Sequence, residues 1–165
     1  MVDIILESWD RQAKIVENVA AAITEDTKRF ASREGEWPIY HQLCHIHTVR
    51  RGWLREIDPK YVEGKAPLFN VISDEEWIPI EDLSAIRARL AESAASVRLA
   101  MEELLPRPGP VGPYDQPLFF LQHMIWHEGW HVGAIIHALR ANGHEMDDAW
   151  EEHNIWGLWR TEETE

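Results

Sequence analysis

Four stretches of this 165-residue chain repeat their apolar residues at three- and four-residue spacing, and no stretch between them alternates with a period of two. The first spacing lines one face of an α-helix, whereas a half-buried strand needs the second. The pattern predicts an all-α chain, a four-helix bundle in which each helix hides its stripe against the others. One domain over residues 1–165 is expected, large enough to bury a core without disulfides.

Punctuation places the helices. Ile5, Trp9, Ala13, Val16, Val19, Ala20, Ile23 and Phe30 form the first stripe and predict a helix over residues 3–31. Trp37-Pro38 opens a second, over residues 38–56, because proline suits a first turn where its missing N–H is no loss. Residues 81–105, rich in Ala, Leu, Glu and Arg, predict the third. Five of the nine prolines then fall between Pro106 and Pro117, which excludes helix there and leads to a fourth over residues 118–141, closed by Asn142-Gly143. Residues 57–80 keep no sustained period and read as a long packed crossover between helices two and three, with one helical turn at Ser73-Asp74-Glu75-Glu76, a capping-box pattern. A tryptophan-rich C-terminal tail carries Trp150, Trp156 and Trp159.

Sixteen basic against 29 acidic residues give a net charge of −13, which repels phosphate backbones and argues against nucleic acid as a partner. No apolar run reaches membrane-spanning length, the N-terminus has no basic leader, and the lone Cys44 has no internal partner. A cytoplasmic, reducing setting is the expectation. Nine tryptophans are expected to pack the core, a few of them forming an aromatic pocket or an interface.

Histidines carry the chemistry. At 100° per residue, His123, His127 and His131 share one face of the fourth helix with Phe120, Met124, Trp130, Ala134 and Ala138, the face with the best claim to the core. His127 and His131 sit on adjacent turns, where two imidazoles can converge on one ion. His123 and His131 lie about 12 Å apart along the axis, too far to share it. A third ligand must come from elsewhere. The second helix offers His41, His45 and His47, and the helical wheel does not choose among them.

Two charged residues stand out. Arg50 projects from the middle of the second helix's apolar stripe; snorkelling to solvent is the expectation, with a charge-paired or anion-binding group near the site as the alternative. Glu128 turns toward a flank of the fourth helix, where it supports a ligand imidazole or meets solvent. Both are candidate catalytic residues. His127-Glu128-Gly129-Trp130-His131 also matches the H-E-x-x-H pattern of zinc metalloproteases, with Glu128 as base, but the chain offers no strand edge to hold a peptide.

Gly35-Glu36-Trp37-Pro38 followed by Leu43-Cys44-His45-Ile46 and Val49-Arg50-Arg51-Gly52-Trp53-Leu54, together with His127-Glu128-Gly129-Trp130-His131-Val132-Gly133-Ala134-Ile135, resembles the DinB/YfiT-like family of metal-dependent proteins. The resemblance implies a helical bundle, frequently dimeric, whose metal ligands are a histidine eight residues after a helix-opening tryptophan and an H-x-x-x-H-x-G pair on the last helix. Carried over, these are His45, His127 and His131. Gly133-Ala134 departs from the family's common Gly-Gln, which leaves no amide there to act. Studied members include thiol-dependent transferases, an isomerase and hydrolases, so the chemistry does not follow from membership.

One divalent ion, zinc or nickel with iron also suited, is therefore expected on three imidazoles with an open position. The expected activity is that of a metal-dependent transferase or hydrolase, activating a low-molecular-weight thiol or water on a small molecule. The alternative is a bundle that binds metal or a small ligand without turnover. Leu118, Ile125, Val132, Ile136 and Leu139 make the opposite side of the fourth helix apolar too, and on that ground a homodimer is expected unless the tail provides the cover.

Overall fold

The computed structural model describes residues 1–71, 73 and 76–161. The protein is mostly helical, with four long helices: α1 (Val2–Ala22), α2 (Ile39–Ile57), α3 (Leu83–Leu104) and α4 (Pro117–Ala141). Contacts between named residues give the directions. Trp9 Nε1–H donates to the Ala94 carbonyl and Arg87 to that of Ala20, so α1 and α3 run antiparallel. His47 meets Arg89 and Arg50 meets Ser93, so α2 and α3 run parallel. Only a long return makes that direction accessible, and the crossover after α2 supplies it. Its first residues form a 3-10 turn at Pro59–Tyr61, and β1 (Phe69–Val71) pairs with β2 (Trp77–Pro79) in an antiparallel hairpin.

The hairpin corrects the expectation of a chain without strands. Each strand is three residues long, and Val71, Trp77 and Ile78 are exposed, so there is no alternation for a sequence pattern to show. Of the anticipated helical turn at 73–76, Asp74 and Glu75 lie outside the described residues; Ser73 and Glu76 exchange backbone hydrogen bonds across the hairpin.

α1 is shorter than its stripe. It ends at Ala22, and Ile23 is extended. Arg87, reaching across from α3, donates to the carbonyls of Ala20 and Ile23, placing a cation where the helix presents unpaired oxygens. Ile23 and Phe30 still pack on the core, but from a folded loop in which the Ile39 and Tyr40 amides donate to the carbonyls of Phe30 and Lys28.

The other boundaries follow local chemistry. Asp82 caps α3, its Oδ1 accepting from the Ser84 and Ala85 amides. Gly143 closes α4 at φ 73°, a conformation that costs glycine little. In the proline-rich loop Gly112 has φ 52°, and a Cβ there would stand 3.0 Å from the Glu56 carbonyl oxygen, so the loop seats against the end of α2 only with glycine.

The tail folds back as α5 (Asp148–Glu151) and two further turns ending at Trp159. Arg11 and Asn18 of α1 donate to the Leu158 and Asn154 carbonyls, and Ile155 joins Val132, Ile136 and Leu139 in the core. The tail thus packs on Val132, Ile136 and Leu139 of the side of α4 on which a dimer was expected, while Leu118 on that side stays exposed. The tryptophans depart from expectation as well: Trp9 is fully buried, but Trp37, Trp77, Trp126, Trp130, Trp156 and Trp159 are exposed. Among the described residues no helix is long and apolar enough to cross a membrane.

Candidate metal centre

α2 and α4 pack against each other in opposite directions, with Gln42 opposite His131, Arg50 opposite Glu128 and Trp53 opposite His123. That register brings three imidazoles together. The ligand atoms offered by His45, His127 and His131 all lie within 4.8 Å of one another. Their ring centroids are 5.2 Å apart for His45–His127, 4.8 Å for His45–His131 and 4.5 Å for His127–His131.

Hydrogen bonding sets the protons. His131 Nδ1–H donates to Gln42 Oε1, so the lone pair of the neutral ring sits on Nε2. That Nε2 is 3.1 Å from His127 Nε2. Two nitrogens on one tetrahedral ion with bonds of about 2.0–2.1 Å stand about 3.3 Å apart. His127 Nδ1 is buried with no hydrogen-bond partner. His127 Nε2 has only the facing imidazole as its partner, and its buried Nδ1 lacks the partner that an ordinary core histidine has. His47 shows the contrast: fully buried, its nitrogens face the carbonyls of Arg89 at 2.9 Å and Ala66 at 3.2 Å. Three converging imidazoles, one with its tautomer fixed outward, fit a divalent ion.

The cluster is poised neutral. Burial pushes the His127 pKa down to about 3, helped by His131, His45, His123 and Arg50, and pushes His131 down to about 4, with His45 adding to it. Burial also lowers His45. Deprotonated imidazoles are what an ion requires.

Two further histidines, His41 on α2 and His123 on α4, flank the three. His41 stacks on Trp37 with ring centroids 4.3 Å apart, and Trp37 lies parallel to His131 at 6.5 Å. His123 stands edge-on to His127 at 6.3 Å, its Nδ1 2.7 Å from the hydroxyl of Tyr114. Trp37 and Trp130 face a groove of about 660 Å³ beside His131, with Gln42 and Ala134 on its lining and the exposed Arg33–Glu36 pair at its edge. The wheel placed Trp130 on the core face; it is exposed because that face widens into this groove.

Arg50 and Glu128 pair with each other. Arg50 is 1% exposed and Glu128 0%, which overturns snorkelling for Arg50 and solvent contact for Glu128. Both carboxylate oxygens accept from the guanidinium, and Gln12 Nε2 approaches Oε2 at 3.5 Å. Cys44, beside His45 in sequence, turns to the Ile80 carbonyl, and burial raises its pKa to about 12, so it is no nucleophile. Gln42 and Tyr114 are the functional neighbours that sequence reasoning missed. The signal for Gln42 was its place one helical turn before the His45–Ile46 step, on the flank facing α4; nothing in the sequence marks Tyr114.

No curated protein and no solved structure matches the chain. A family model described as the DinB family matches residues 1–157.

Proposed function

The chain belongs to the DinB family, and on that premise we propose that it is a metal-dependent enzyme. In this reading His45, His127 and His131 hold one divalent ion, zinc or nickel with iron also suited, and the substrate is a small molecule attacked by a low-molecular-weight thiol or by water. The observation that carries it is the convergence of three neutral imidazoles from two helices within 4.8 Å. When bound, such an ion lowers the pKa of a coordinated water or thiol and so supplies a nucleophile near neutral pH.

The chain's own residues do the rest. Gln42 holds His131 in the tautomer that turns Nε2 to the centre. Trp37 and Trp130 give the adjoining groove apolar walls that receive a small molecule beside His131. His123, its Nδ1 held against the Tyr114 hydroxyl, closes the side of the site next to His127. Glu128 has both oxygens engaged by Arg50, so it sets how α2 lies on α4 and is not free to act as the base of an H-E-x-x-H protease. Four packed helices with the ligands on facing α2 and α4 are consistent with a helical bundle that builds its metal site in the interior.

Metal analysis of protein purified without chelators tests the reading. About one equivalent of metal per chain is expected, lost in His127→Ala, with turnover in a panel of thiol acceptors and esters. Absence of metal together with an unchanged His127→Ala melting temperature sinks it. Stoichiometric metal with no turnover across the panel favours a binding protein instead.

A further inference from the structure

α4 has no side chain at 129 or 133, and nothing lies within 4 Å of a Cβ placed on either glycine. Beside them a cleft of about 370 Å³ runs between α4, α1 and the C-terminal turns. Buried Ile15, Val132 and Ile155 line its inner part and the exposed Trp156 and Trp159 its outer part. Gly129 and Gly133 lie about 200° and 240° round the helix from His127, so the cleft is on the far side of α4 from the three imidazoles.

One polar group deep in the protein opens into it. Gln12 of α1 is 4% exposed and lines the cleft. Its Nε2 approaches Glu128 Oε2 at 3.5 Å, so the other atom of the amide, Oε1, points away from that carboxylate. No donor meets Oε1 among the described residues, yet it is not sealed inside the protein: the enclosed side-chain atoms without a partner are Arg51 Nε and His127 Nδ1. A free acceptor in an apolar cleft is the kind of group that orients a small ligand and selects one with a donor to offer.

We propose that this cleft binds a small uncharged aromatic molecule carrying an N–H or O–H, with that donor on Gln12 Oε1 and the ring laid against Gly129 and Gly133. Size sets one bound. At the volume a water occupies in the liquid, the cleft holds roughly a dozen non-hydrogen atoms, which is one or two rings. Charge sets another: Arg140 and Glu151 both line the cleft but are paired with each other, so neither is left to attract an ion. Shape favours a flat ring, because two glycines let it approach the helix backbone closely and the indoles of Trp156 and Trp159 offer edges and faces to pack on. A flexible chain of the same size would lose more rotational freedom on entering. The site uses none of the metal-centre histidines, and its occupancy does not depend on whether they hold an ion.

Isothermal titration calorimetry of the full chain in EDTA tests it, with indole as the probe and benzofuran, of the same shape but without the N–H, as its control. One indole per chain is expected, with a Kd below about 1 mM. Benzofuran, which leaves Oε1 unpaired, is expected to bind at least about tenfold more weakly. Gly133→Leu puts a side chain into the cleft from an exposed helical position, and is expected to abolish indole binding without lowering the melting temperature. Gln12→Met is expected to bring indole and benzofuran to equal affinity. Trp37→Ala, in the groove beside His131, is expected to leave indole binding unchanged.

No indole binding, equal binding of the two probes by the wild type, or a Gly133→Leu variant that binds indole as the wild type does overturns the proposal. Should Gln12→Met fail to fold, the benzofuran and Gly133→Leu results still decide. Binding lost in Trp37→Ala overturns it by moving the ligand to the other groove. Indole bound only when zinc is added overturns it too, and leaves the metal reading standing.

Discussion

Arg50 and Glu128 meet at two points inside the protein, Nε to Oε1 at 2.6 Å and Nη2 to Oε2 at 2.9 Å. The guanidinium's remaining nitrogen donates to the Leu90 carbonyl at 2.8 Å, and its Cζ lies over the Trp9 ring, 5.2 Å from the centroid. One side chain of α2 thus touches α1, α3 and α4. A charge pair this dry gives up several kcal/mol of hydration per ion, so little net stability is expected from it. What it supplies is position: a two-point lock one residue from His127 and five from His45.

Removing half of that lock leaves the other half buried and alone. Glu128→Gln is expected to destabilise the fold by about 3–5 kcal/mol in chemical denaturation. Arg50→Met/Glu128→Leu, which removes both charges, is expected to recover most of that loss. If the double variant is no more stable than Glu128→Gln alone, the charges are not what the pair contributes.

Gln42 acts on the site through one hydrogen bond. Gln42→Leu frees His131 to adopt either tautomer, and the expected result is a loss of about 10–100-fold in zinc affinity, measured by competition with a chromophoric chelator. Circular dichroism should show the helices intact. Unchanged affinity would deny Gln42 an orienting role.

Acid should loosen the metal-free protein well before carboxylates titrate. His47 and His131 have folded pKa values pushed down to about 4 by burial, and an unfolded histidine titrates near 6.5. A group depressed in this way contributes stability that is whole above the unfolded value and is lost as pH falls toward the folded one. Each is expected to cost about 2 kcal/mol on going from pH 8 to pH 5. Urea melts in EDTA across that range read it, and a flat profile contradicts it.

Asp82 carries the start of α3 on two backbone amides. Asp82→Ala is expected to cost about 1 kcal/mol, with Asp82→Ser recovering much of it in the same melts.

Helix starts and stops were legible wherever one residue's own chemistry decided them: Pro38, Asp82, the prolines after Leu105, and Gly143. The end of α1 was not, because it depends on Arg87 arriving from another helix while the apolar spacing runs on to Phe30. At the site, the spacing of His127 and His131 was readable from helix geometry. His45 came from family resemblance, since the wheel gives His45 and His47 nearly equal standing and only the neighbouring carbonyls of Ala66 and Arg89 separate them. Arg50 was visibly out of place, but its partner is 78 residues away, and no one-dimensional pattern relates a charge on one helix to a charge on another.

The two helix seams are fastened differently. Along α1–α3, Arg98 grips Asp10, the Trp9 indole is tied to Ala94, and Arg87 holds the last carbonyls of α1. Along α2–α4 the polar ties are concentrated at the Arg50–Glu128 lock and the Gln42–His131 bond. Opening of the second seam therefore needs fewer ties released at once, and amides of α4 around His131 should exchange with deuterium sooner than those of α3 around Ala94. The histidines would then sit on the half of the molecule that breathes, carried by a half that stays shut.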